Sequence, residues 1–301
     1  MSAIELDFKE PEVAEVKQDR LLGVYENMAD HEYRYAPGIN KSGMDNFMRS
    51  PLHYLTIKKD PPPPTPQMFV GSAFHALVLE PERFAVEYIQ DQYRGSQSKE
   101  AIAWRLNMRE EGKTVINTKG GNSIWAPSDW DMIHHMRDAV AAHPIASVLL
   151  QGKSELSIFW IDKKNGYHKG TGKLCKARID VHNEEHNVIL DLKSAADASY
   201  EGFRKAVNNY HYNIQAAFYS DGWEACGKTA QAFIFVVVEK EPPYGVGCYV
   251  LDRAWLVDGR TTYQHTLMQF KDCMEANEWP CYPTEVRDLA MPAYAKRHAM
   301  S

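Results

Sequence analysis

Between residues 154 and 193 the side-chain pattern takes a period of two in three successive segments, and this stretch limits the possible folds more than any other. SELSIFWID at 154–162 alternates apolar and polar residues. Lys163-Lys164-Asn165-Gly166 after it reads as a hairpin turn. A second strand is expected over 174–182, a turn at Asn183-Glu184-Glu185-His186-Asn187, and a third strand over 188–193. Short turns between period-two segments predict antiparallel neighbours. The run QAFIFVVVE at 231–239 is apolar on both faces, as a strand at the centre of a sheet must be, and 247–251 pairs as another.

Helical periodicity surrounds this stretch. Ser42, with Asp45 three residues on, is the expected N-cap of a helix that stops before Pro51, and a short helix follows over 52–57. Pro61 to Pro64, with Pro66, form a stiff extended connector. Residues 68–79 are apolar almost all round and predict a buried helix, whereas 90–122 are polar and look irregular or loosely helical. Ser128 and Asp131 open a helix to about 150, and further helices are expected over 198–226 and 253–278. The order predicts an α/β (or α+β) sheet flanked by helices. Residues 1–37 lack periodicity and read as a loose leader. The remainder, 38–301, reads as one domain with an N-terminal helical subregion at 38–150 and a core at 151–290.

Composition removes several classes. The five cysteines (175, 226, 248, 273 and 281) are scattered without a CxxC pair, which argues against a disulfide framework, a structural zinc site or an iron–sulfur cluster. No run of 18 apolar residues is present, and the acidic, mixed-charge N-terminus lacks the form of a secretory signal. A cytoplasmic location, with no membrane partner, is the expectation. The net charge of −6 counts against a general nucleic-acid coat, although a basic groove can coexist with an acidic exterior. Gly112-Lys113-Thr114 lacks the upstream glycine of a phosphate-binding loop, His134-His135 lacks a zinc-protease context, and no GxSxG elbow occurs.

The chemistry concentrates at Arg178-Ile179-Asp180 and, ten residues on, Asp191-Leu192-Lys193. A hairpin would bring Asp180 and Asp191 side by side, and the two-residue spacing puts Asp191 and Lys193 on one face. Two carboxylates could then hold Mg²⁺ or Mn²⁺ while the ammonium screens charge at a phosphodiester. By spacing alone a surface salt bridge explains the trio equally well; the half-buried strand around it favours the functional reading.

With those residues stands the helix Tyr212-Asn213-Ile214-Gln215-Ala216-Ala217-Phe218-Tyr219. Together with GSAFHALVLEP at 71–81, KARID at 176–180, ILDLKS at 189–194, YHYNIQAAFYSDGWEA at 210–225 and NEWPCY at 277–282, it resembles the RecB-like branch of PD-(D/E)xK nucleases. The similarity is greatest to the exonuclease VIII (RecE-type) catalytic domain and covers about 40 to 290. Ile179 stands where the proline that names the motif would be.

The resemblance implies a restriction-endonuclease-like central mixed sheet. It implies Asp180 and Asp191 as metal ligands, with the Leu192 carbonyl and His75 beside them and Glu155 as a further acidic ligand. Lys193 would be the catalytic lysine, and Gln215 and Tyr219 would face the site. Read alone, His75 in an apolar helix is more often a core histidine, and Gln215 and Tyr219 merely share a helix face. Lys169, Lys173, Lys176 and Arg178 could line a DNA path or form a solvated face. The implied activity is Mg²⁺-dependent degradation of linear double-stranded DNA from its ends, 5′→3′, in phage-type recombination in a bacterial or phage-infected cell. A structure-specific or site-specific endonuclease, or a non-catalytic DNA-binding protein, are the alternatives. A homo-oligomeric ring with Trp104, Trp125 and Trp130 at its interfaces, and a single-strand annealing partner, are further expectations.

Overall fold

The computed structural model describes residues 21–121, 123–163 and 169–291. In chain order the elements are β1 (Gly23–Tyr25), α1 (Asp30–Tyr35), α2 (Lys41–Arg49), α3 (Pro51–Lys59), α4 (Pro66–Leu79), α5 (Pro81–Glu87), β2 (Tyr88–Gln90), α6 (Lys99–Glu110), β3 (Thr114–Ile116), α7 (Asp129–Ala142) and α8 (Ala146–Leu149). Then follow β4 (Lys153–Ile161), β5 (Leu174–Asn183), β6 (Val188–Ala195), α9 (Tyr200–Asn209), α10 (Tyr212–Ala225), β7 (Ala232–Glu239), β8 (Val246–Val250) and α11 (Arg253–Ala276).

Six strands form one mixed sheet in the order β1-β4-β5-β6-β7-β8. Only β6 and β7 run parallel, because α9 and α10 carry the chain between them. β7, expected at the centre, is instead the penultimate strand; paired with β6 and β8 and covered on both faces, it still accounts for its uninterrupted apolar run. On one face Ile158, Ala177, Ile179, Ile189 and Phe235 pack against Phe203 of α9, Ile214 and Phe218 of α10 and Leu267 of α11. On the other, Val181, Leu190, Leu192 and Val236 meet Phe74 and Leu77 of α4 and Ile133 and Met136 of α7. Three layers result, with the sheet in the middle.

Several expectations change in detail. Asn40, not Ser42, caps α2, its side chain accepting the Gly43 N–H at 2.9 Å. The expected helix from Ser128 ends at Ala142 ahead of Pro144, where a short second helix begins. Residues 90–122 contain a full helix, α6, beside the parallel pair β2–β3. Met68 and Phe69 at the start of α4 are exposed, so that helix is buried only over its second half. The 163–166 turn lies outside the described residues from 164 on; the link between β4 and β5 is a longer one, 162–173, with the Asp162 carboxylate accepting the N–H and hydroxyl of Thr171.

The expected leader contains two ordered elements among its described residues. Gly23–Tyr25 pairs antiparallel with Ser157–Phe159 of β4 and forms the sheet edge. Lys176, only 4% exposed, extends its ammonium to the carbonyls of Tyr33, Arg34 and Ala36, at 2.8, 3.2 and 2.6 Å, where α1 ends. A cation there meets the negative end of the helix dipole. Three residues of strand leave no periodicity to read, which is why the sequence showed none.

The close crossing of α10 and α11 depends on Gly259, where a Cβ would lie 2.2 Å from the Asn213 carbonyl oxygen. Gly259→Ala should therefore cost about 1–3 kcal/mol. Urea unfolding should show a lower midpoint at unchanged slope; an unchanged midpoint would mean that the helices part without cost.

Candidate nuclease site

The β5–β6 ladder ends early. Register pairs Asn183 with Val188, His182 with Ile189 and Val181 with Leu190, and no further. The next β6 amide to face β5, that of Leu192, donates to Asp180 Oδ2 at 2.8 Å instead. The strand turns at this point: Ile179 packs into one core and Val181 into the other, although alternation would place them together. On the other side of β5, Glu155 holds a left-handed φ of +53°. The strands part here, and the side chains of the site fill the gap.

Three ligand atoms, one each from His75, Glu155 and Asp180, lie within 4.8 Å of one another. Ligands of a Mg²⁺ ion sit about 2.0–2.1 Å from it, hence at most about 4.2 Å apart, so a small contraction brings this set onto one ion. The two carboxylates are donors that suit Mg²⁺ and Mn²⁺, and the imidazole adds one nitrogen donor to them. His75 Nδ1 is 3.6 Å from Asp180 Oδ2. Burial and the nearby Lys193 lower the His75 pKa against the smaller pull of its hydrogen bond to the Leu192 backbone. The ring is therefore neutral at pH 7, as a ligand must be, and a backbone partner of that kind fixes a ligand's tautomer.

Asp191 stands apart from this group. Its carboxylate is 2.7 Å from the Lys193 ammonium and accepts a hydrogen bond from Gln215 Nε2 on α10. Tyr219, one turn further along α10, hydrogen-bonds Gln215 in turn. Hydrogen bonds and an ion pair thus connect Tyr219, Gln215, Asp191 and Lys193 in that order, which brings the two α10 residues to the site where catalytic roles were expected of them. Burial would depress the Lys193 ammonium, but Asp191 and Asp180 together hold its pKa above the usual lysine value. Lys193 also lies 4.9 Å from the Tyr212 ring centre, and Lys41 is 5.8 Å from the same ring. Lys41 reaches Asp45 at 2.7 Å and the Tyr210 carbonyl at 2.6 Å. Tyr212 and Lys41 were not singled out from sequence: nothing in α2 marks a residue that only the fold brings to β6.

The four basic residues proposed for DNA part company. Lys176 is consumed by the end of α1 and Arg178 is enclosed by its own partners, because β5 runs under α1 and not along the surface. Lys169 is exposed and Lys173 half-buried in the β4–β5 connection. Asp180 lies six residues along β5 from Leu174, about 20 Å at 3.3 Å per residue.

Burial, reinforced by Asp191, pushes Asp180 up to about 8, and burial with Asp180 pushes Glu155 up to about 7. Without metal the folded chain thus keeps protons that the unfolded chain releases near pH 4. This contribution is fully present below pH 4 and is lost as pH rises through 7 to 8. In EDTA, thermal stability should fall between pH 5 and 8, Asp180→Asn should flatten that slope, and Mn²⁺ should raise the melting temperature more at pH 8 than at pH 5. A metal-free protein that gains stability over this range would contradict the charge arrangement.

No curated protein matches the sequence. A candidate exonuclease from Eubacterium rectale superposes with a TM-score of 0.57 at 13% identity, over 89% of this chain and 96% of its own. A phage-related exonuclease from Haemophilus somnus 129PT is 12% identical over 68% of this chain and 94% of its own, but its TM-score of 0.31 is too low to bear on the fold. Residues 41–288 match the PDDEXK-like domain of unknown function (DUF3799). That span includes the sheet from β4 to β8 and every residue of the site, and the chain belongs to this PDDEXK-like family.

Proposed function

We propose that the chain is a divalent-metal-dependent exodeoxyribonuclease that degrades linear double-stranded DNA from its ends. The observation that carries this reading is the buried Asp191 paired with the half-buried Lys193 beside a carboxylate–imidazole cluster at the parting of two strands. His75, Glu155 and Asp180 would hold the ion, which would withdraw charge from the phosphodiester. Asp191 completes the acidic lining and keeps the Lys193 ammonium facing the same gap. Lys193 screens charge that develops on the phosphate. Gln215 and Tyr219 fix the orientation of Asp191. Mg²⁺ or Mn²⁺ suits these oxygen-rich donors.

The 5′→3′ direction, the RecE-type role in phage recombination and a single-strand annealing partner rest on sequence resemblance. The activity named for the Eubacterium rectale protein, similar in fold, supports the same class. A homo-oligomeric ring remains attractive because a chain of net charge −6 has little long-range pull on DNA and gains from enclosing it. Of the tryptophans expected at its interfaces, Trp125 is exposed, while Trp104 packs on Tyr93 and Trp130 on Phe84 and His134.

End-labelled linear duplex and covalently closed circles, each with Mg²⁺ or EDTA, test the activity. Cleavage of linear DNA alone, abolished by EDTA and by Asp191→Ala, is expected; cutting of circles would make the protein an endonuclease. Lys193→Ala should lower the rate about 10²- to 10³-fold while the protein still binds metal. Full activity of that variant would remove the lysine from the chemistry. Light scattering at micromolar concentration should give a multiple of the 34.4 kDa chain mass. A monomer that digests long duplexes processively would dispose of the ring.

A further inference from the structure

Arg178 was a candidate DNA contact, yet its donors are turned inward. Nε lies 2.7 Å from Glu155 Oε2. Nη2 donates to the Met28 carbonyl at 2.9 Å, and Nη1 is 3.6 Å from Asp30 Oδ1. The guanidinium stands 5.6 Å from the centre of the Tyr33 ring, and its side chain is 12% exposed. Little of this fork is left for a phosphate. On the other side, Glu155 is one of the three clustered ligand residues, and its backbone holds a left-handed φ that a glutamate seldom adopts.

We infer that Arg178 is a positioning residue of the metal centre: it holds the Glu155 carboxylate in ligand orientation, and through Met28 and Asp30 it makes α1 a part of that centre. The inference rests on the metal-dependent reading above. A planar guanidinium suits this role because one edge donates to the Met28 carbonyl while its delocalised charge, buried at Nε and Nη1, is compensated by the Glu155 and Asp30 carboxylates as ion pairs. Two effects of removing it oppose each other. A lost cation relieves repulsion of a metal ion and strengthens binding; a lost anchor frees Glu155 and weakens it. The fixed geometry on both sides makes the anchor the larger effect.

The test is Mn²⁺ titration by calorimetry at fixed pH, with circular dichroism and melting temperature as controls for folding. Wild-type protein must bind Mn²⁺; if it does not, the metal-dependent reading itself fails. Given that binding, Arg178→Gln should weaken affinity about 10- to 100-fold, as loss of a partner that orients a ligand commonly does. Arg178→Lys should recover only part of it. In a Glu155→Gln background, Arg178→Gln should cause little further loss, which a general structural role would not reproduce. Unchanged or tighter Mn²⁺ binding by a folded Arg178→Gln protein would overturn the inference. Should that variant fail to fold, Asp30→Asn, on the half-exposed face of α1, serves in its place. It should weaken Mn²⁺ binding by a smaller factor, and equal affinity to wild type would overturn the inference in the same way.

Discussion

The Leu192 amide leaves the β-ladder and takes the Asp180 carboxylate as its partner, and the rest of the site follows from that exchange. A buried N–H must find an acceptor. Here the acceptor is a side chain, so β5 and β6 can separate without an orphaned donor between them. The gap opens to both faces of the sheet. α4 brings His75 from one face, α10 brings Gln215 from the other, and β4 brings Glu155 from alongside. A continuous ladder would have closed that space with backbone.

Such a site is a costly thing to fold. Asp180, Glu155 and Asp191 are largely withdrawn from water, and their cations, Lys193 and Arg178, are withdrawn with them. Removing charges from water costs several kcal/mol per ion before pairing returns any of it. The compensation is supplied at a distance by ordinary packing: Phe74, Phe218 and Phe235 are all buried in the two cores flanking the sheet. Gly259 contributes by letting α11 press α10 toward the sheet. The framework is rigid where the charges are expensive.

Local chemistry decided what could be read beforehand. The hairpin that pairs β5 with β6 as far as Val181 and Leu190, next to Asp180 and Asp191, was legible, because the turn at 183–187 is built from residues that make turns, with Asn183 accepting the His186 N–H. The cap at Ser128 was legible for the same reason, its hydroxyl accepting the Asp131 N–H. The single-face placement of Asp191 and Lys193 follows from strand periodicity. What escaped depended on contacts distant in sequence. Lys176 and Arg178 look like surface cations until α1 arrives over them, more than 140 residues away in sequence. Trp130 looks exposed until Phe84 of α5 packs against it. The split of the acidic residues into a cluster of His75, Glu155 and Asp180 and a lysine pair at Asp191 is set by where the strands part, which spacing does not carry.

The position of α1 has a consequence for biogenesis. Tyr33 and Arg34 must wait for Lys176, 143 residues downstream, and Val24 for Ile158. Closing so long a loop is slow relative to forming the hairpins and helices between. As the chain leaves the ribosome, the sheet can assemble from local pairs while its first strand and helix are still undocked. Asp180 and Asp191 can then be in place before β1 and α1 have docked beside them. With Arg178 anchoring Glu155 through α1 as inferred above, competence to bind an ion would report that β1 and α1 have docked on the sheet.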